Sequence, residues 1–112
     1  MKKKIIGIIP ARMESSRFPG KPLKEIHGMP MIGHVYIRSK MCQLLDDVWV
    51  ATCNPEISDY IESIGGNSIM TANTHERASD RIAEALLKIE KLLNLELIQQ
   101  LKNSENIIQK NI

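Results

Sequence analysis

The sequence predicts an α/β protein, a three-layer open parallel sheet with helices on both faces. Two observations carry this. Apolar β-branched runs alternate with stretches of helical periodicity, in the order β-loop-α-β-α-β-loop-α. The runs at residues 4–9 and 48–52 are apolar on both faces, as strands covered on both sides by helices must be.

The elements follow in order. The first strand, residues 4–9, is stopped by Pro10. A polar loop rich in Arg, Ser, Pro and Gly runs over 11–22. Residues 23–27 form a brief extended piece, and Gly28-Met29-Pro30 turns the chain. Pro30 suits the first turn of a helix, where its missing N–H costs nothing. That helix covers 31–45, with Ile32, Val35, Tyr36, Ser39 and Cys42 at helical spacing, and Asp46-Asp47 ends it. Residues 48–52 are the second strand. Asn54-Pro55-Glu56 reads as a helix start: a side-chain cap, a proline just inside, then an acid in the first turn. Ile57, Ile61 and Ile64 mark its buried stripe, and Gly65-Gly66 ends it. Residues 67–71 are the third strand. After a loop over 73–78, a helix covers 79–93 with Ile82, Leu86, Ile89 and Leu93 on one face. Residues 94–112 are rich in Leu, Ile, Asn, Gln and Lys; they read equally as an amphipathic helix or a frayed end. The division is therefore residues 1–93 as one α/β unit and 94–112 as a helical or disordered tail.

Bulk properties exclude several classes. The 112 residues suit one small domain. A net charge of +2 is too small for a nucleic-acid binder, which carries a strong basic stripe. No apolar run approaches a membrane-spanning length, and residues 5–9 are too few for a signal segment. Cys42 and Cys53 have no metal-ligand spacing and read as free thiols, so the expected location is the cytoplasm. His27 and His34 flank a Gly/Pro turn without a third ligand, so no metal site is expected there. Trp49 reads as core and Met29, Met31, Met41 and Met70 as gap-fillers.

The chemistry lies in the loop after the first strand, where open parallel sheets bind ligands. Arg12, Arg17 and Lys21 supply three cations, and Ser15 and Ser16 two hydroxyls. Gly20 lets the backbone approach a ligand closely, and Pro19 and Pro22 stiffen the chain. A triphosphate calls for such a set; Arg grips phosphate oxygens in pairs and Lys acts as a point charge. Composition alone equally allows a solvated surface loop. The segment is not a P-loop, because Pro22 follows Gly20-Lys21 and Ser15 stands at the first glycine position.

The stretch Pro-Ala-Arg-Met-Glu-Ser-Ser-Arg-Phe-Pro-Gly-Lys-Pro-Leu at 10–23 closely resembles the start of the 3-deoxy-manno-octulosonate cytidylyltransferase family. Gly28 to Ile32 with His34 extends the likeness. So do Val50-Ala51-Thr52, Gly65-Gly66, Met70-Thr71, His75 and Arg81 to Glu84. The resemblance implies a Rossmann-like nucleotidyltransferase fold and a reaction coupling CTP to a sugar acid, with loss of pyrophosphate and Mg²⁺ as cofactor. The CMP-sugar would serve lipopolysaccharide or surface-polysaccharide biosynthesis. It implies nucleotide-binding positions at Pro10, Ala11, Arg12, Ser16, Arg17, Gly20 and Lys21, and at Ser79, Asp80 and Arg81 in the second loop. Arg12 and Lys21 would be the catalytic cations. For Asp80 and Arg81 a first-turn helix acid and a surface ion pair are an equal alternative. The family's Ser-Gly-Thr is Arg77-Ala78-Ser79 here, and an Arg frequent after Met-Thr is Ala72, which leaves the sugar acid open. The family's later Gln-Gly-Asp-Glu-Pro segment, whose Asp holds Mg²⁺, has no counterpart among residues 94–112. The expectation is a truncated form with weak or no turnover. The alternatives are a non-catalytic nucleotide-binding module or one that self-associates through its tail and open sheet edge.

Overall fold

In the computed structural model, residues 4–14 and 19–110 are described, with side chains to Lys102. Three parallel strands form the sheet in the order β1 (Ile6–Ala11), β4 (Asp47–Thr52), β5 (Asn67–Met70). A two-residue turn joins β2 (Glu25–Ile26) to β3 (Met29–Pro30) in an antiparallel hairpin. His27 and Gly28 both have positive φ, 52° and 80°, as the tightest hairpin turns require. Helices α1 (Met31–Lys40) and α2 (Pro55–Ser63) cover one face of the sheet. Ala11, Ile32, Tyr36, Val48, Val50, Ile57 and Ile61 form the core between them. Helix α3 (Ala78–Lys110) packs along β1, β4 and β5, with Ala85 and Ile89 fully buried. Because successive strand residues face opposite ways, Ala51 and Trp49 lie on the α3 side. The three-layer parallel arrangement is the one the sequence predicts.

Several boundaries differ from expectation, each for a physical reason. Pro10 does not stop β1; it pairs in register with Ala51. The strand is at the sheet edge, where a missing N–H is tolerated. Helix α1 ends at Lys40, not 45. The chain folds back so that Leu45 packs on Gly7, where an added Cβ would sit 2.9 Å from Leu45 Cδ1. Asp46 then accepts the Ile5 N–H at 2.7 Å. Cys42 is therefore exposed beyond the helix instead of lining its buried stripe. Ile64 leaves the α2 stripe because it is the cap residue, 40% exposed. Beyond it Gly65 (φ 78°) donates to Glu62 O and Gly66 to Ile61 O, the paired bonds of a Schellman ending. On α3 the buried face is Arg81, Ala85 and Ile89, while Leu86 is 40% exposed. Trp49 is half-buried, and its indole N–H has no partner among the described residues.

Tyr36 ties the layers together. It is 2% exposed; its hydroxyl accepts the Asn67 N–H at 3.0 Å and donates to Val48 O at 3.4 Å. One α1 side chain thereby holds β4 and β5 in register.

Candidate nucleotide site

The carboxyl ends of the three strands carry the loops that build the site. Beyond β1 the chain passes Arg12, Met13 and Glu14, and it returns at Gly20. The Gly20 N–H donates to Met13 O at 2.8 Å, closing the neck of the loop. Gly20 has φ 77°, a left-handed conformation that side chains resist. Conformation thus gives this glycine a role besides close approach to a ligand. A 3-10 turn, Lys21–Leu23, follows with Pro22 inside it. The closed neck sets Arg12 and Lys21 on one cavity of about 390 Å³. Pro10 and Ala11 line it too; Met31, Ile32 and Val35 of α1 supply an apolar wall.

Of the predicted site residues, Pro10, Ala11, Arg12 and Lys21 are thus brought together, with Gly20 at the neck. Ser16 and Arg17, like Ser15, lie outside the described residues. The second loop reaches the cavity through Ala78; Ser79 and Asp80 follow in the first turn of α3, exposed and outside the lining. Arg81 is not in a surface ion pair. It is 3% exposed, and its Nε–H donates to Thr71 Oγ1 at 3.1 Å. Its Nη2–H lies 3.8 Å from Cys53 Sγ.

Two polar networks brace the loops, and neither was read from the sequence. Glu84 accepts from His75 Nε2 at 2.7 Å, from Lys88 Nζ at 2.7 Å and from the Ala72 N–H at 3.1 Å. Lys88 also donates to Met70 O at 2.7 Å. This fastens the β5–α3 loop to the helix that follows it. Lys88, then His75, then the Ala72 amide lower the Glu84 carboxyl to about 2. The i,i+4 spacing of Glu84 and Lys88 was the one signal in the sequence. The second network centres on Asn54. It stands at the α2 cap position, and its backbone oxygen accepts from Ile57 and Ser58, but its side chain makes no capping bond. The carboxamide instead accepts the Met13 N–H at 2.9 Å and donates to Glu14 Oε1 at 2.8 Å. That bond from Asn54, then a backbone bond within Glu14, lower the Glu14 carboxyl below its ordinary value. His34 bonds Ile26 O at 2.7 Å, tying α1 to the hairpin. Among the described residues no group of three or more His, Cys, Asp and Glu could hold a metal ion.

A parallel sheet with helices on both faces and a cavity at the carboxyl ends of its strands, lined by Arg12 and Lys21, is the architecture in which open α/β proteins bind ligands. The comparisons narrow this further. The cytidylyltransferase family profile matches residues 6–112, and the chain belongs to that family. It is 47% identical over 87 residues to the 3-deoxy-manno-octulosonate cytidylyltransferase of Escherichia coli, covering 78% of this chain and 35% of that protein. The enzyme of the same name from Thermodesulfovibrio yellowstonii is 43% identical over 109 residues, covering 94% of this chain and 43% of its own length. The 8-amino-3,8-dideoxy-manno-octulosonate cytidylyltransferase of Shewanella frigidimarina is 48% identical over 83 residues, covering 74% of this chain and 34% of that protein. Among solved structures, CMP:2-keto-3-deoxy-manno-octonic acid synthetase complexed with CTP aligns with a TM-score of 0.72 at 47% identity. That alignment covers 78% of this chain and 36% of the other. The chain thus spans about two-fifths or less of the length of these relatives.

Proposed function

We propose that this chain forms the CTP-binding front of an enzyme coupling CTP to an acidic sugar of the octulosonate type, giving a CMP-sugar and pyrophosphate. The observation that carries the reading is the cavity where Arg12 and Lys21 meet Pro10 and Ala11 at the end of β1. Cations against an apolar wall attract an anionic ligand more strongly than the same cations in open water. Arg12 and Lys21 would hold phosphate oxygens, and Arg17 and Ser16 of the same loop would add to them. In the reaction a sugar hydroxyl attacks the α-phosphorus in line and pyrophosphate leaves. The cations hold the triphosphate still and offset charge as it moves to the leaving group.

Mg²⁺ is the family's expected cofactor. The described residues offer no cluster that fits it, so no step here runs through it. The sugar is left at the class: the relatives' names include both 3-deoxy and 8-amino-3,8-dideoxy octulosonates. The CMP-sugar would serve lipopolysaccharide or surface-polysaccharide biosynthesis, with the enzyme in the cytoplasm. Calorimetry with CTP, ATP and GTP, with and without Mg²⁺, tests the proposal. Saturable CTP-preferring binding that Arg12→Ala weakens supports it. A folded chain that binds no nucleotide overturns it.

A further inference from the structure

Asn54 is 8% exposed, and its side chain is spent on the loop from the neighbouring strand. Its orientation is fixed by its partners. Turned over, the amide would set Nδ2 against the Met13 N–H and Oδ1 against the Glu14 carboxylate, two repulsive contacts. Cys53 Sγ, 3.5 Å away, also donates to Oδ1, and the Asn54 N–H donates to Thr52 Oγ1 at 3.1 Å. The residue is therefore held from its own strand while it grips the other.

What it grips is the pivot of the loop. Asn54 takes the Met13 N–H, and Met13 O takes the Gly20 N–H at 2.8 Å. Arg12 directly precedes Met13, and Lys21 directly follows Gly20. Two hydrogen bonds thus link the start of α2, through the Met13 backbone, to Gly20, and Arg12 and Lys21 are the sequence neighbours of the two backbone positions so held. A capping asparagine bonds the N–H groups of its own helix. This one leaves them and bonds Met13 and Glu14 instead.

We propose that Asn54 is a positioning residue for the nucleotide loop, acting through Met13 to set Arg12 and Lys21 at their spacing, and not a cap for α2. The inference rests on the nucleotide reading of that loop. Two substitutions separate the roles, because Ser and Asp cap helices as well as Asn does. Asn54→Ser keeps a neutral cap but is too short to reach Glu14. Asn54→Asp keeps length and cap but sets two carboxylates together. A capping role predicts wild-type CTP affinity in both. The positioning role predicts about a tenfold loss or more in both, with helix content retained and, in Asn54→Ser, the Met13 amide exchanging faster. Glu14→Gln added to Asn54→Asp restores one donor and one acceptor with their direction reversed. It is expected to bring affinity back to within about threefold of wild type.

Calorimetry and site-resolved amide exchange on the whole chain read these outcomes. Wild-type affinity and an unchanged Met13 amide in Asn54→Ser overturn the proposal. If the wild-type chain binds no CTP, the nucleotide reading fails, and the Met13 amide alone decides the clamp. Protection lost in Asn54→Ser then supports it, and equal exchange in both proteins overturns it. Should Asn54→Ser not fold, Asn54→Asp with and without Glu14→Gln carries the same comparison.

Discussion

Arg12 and Lys21 share a cavity only because Gly20 closes the loop between them, so each of the three has a separable effect. Removing either cation should weaken CTP by roughly 1.5–3 kcal/mol, the worth of a hydrogen bond to a charged group. Added salt should narrow the difference, since screening already dulls these charges in the wild type. Calorimetry at two ionic strengths checks both. Gly20→Ala acts on conformation instead. At φ 77° a Cβ strains the backbone by about 1–2 kcal/mol, so both the unfolding midpoint and CTP affinity should fall. Glu84 gives a pH signature. Its carboxyl is lowered to about 2 in the folded chain, while the unfolded value is the ordinary 4.5. The stability it contributes is fully present above the unfolded value and is lost as pH falls toward the folded one. Thermal melts between pH 6 and pH 2 should therefore decline, and Glu84→Gln should flatten that part of the decline.

At the scale of elements, local signals were legible and side-chain destinations were not. Pro55, Glu56 and Gly65 placed both ends of α2 correctly, because proline, first-turn acids and left-handed glycine act through the backbone next to them. Asn54 occupied the expected position with an unexpected job, since its partners Met13 and Glu14 lie some forty residues earlier in the chain. The same holds for the end of α1. Periodicity carried on to Cys42, but Leu45 had to reach Gly7 on another strand. That the loop after β1 carries cations was legible from Arg12 and Lys21, and both line the cavity. Its apolar wall from Met31, Ile32 and Val35 was not, because nothing local says which face of α1 a distant loop will meet. Tyr36 shows how much one tertiary contact holds. Tyr36→Phe leaves the Asn67 N–H without its acceptor and should cost about 1–3 kcal/mol in urea unfolding.

The whole molecule is longer than its sheet requires, 63 Å in its greatest extent, because α3 continues to Lys110. The structure gives a helix where the sequence left helix and frayed end equal. Leu95, Leu97, Ile98 and Leu101 are exposed along it. Among the described residues no helix is long and apolar enough to cross a membrane. We propose that this stretch supports self-association. Sedimentation should show mass rising with concentration, and Leu97→Glu with Leu101→Glu should abolish the rise; a constant mass in the wild type removes the reading.

Trp49, the chain's single tryptophan, has a further use. The residue is half-buried on the α3 side of the sheet, away from the core that α1 and α2 cover, and its indole N–H has no partner among the described residues. Intrinsic fluorescence of this protein is therefore a one-site optical gauge of how firmly α3 is seated. Circular dichroism averages over every helix. A red shift that precedes the dichroism change would mean that the molecule sheds its long helix first. Coincident curves would mean that both faces of the sheet give way as one.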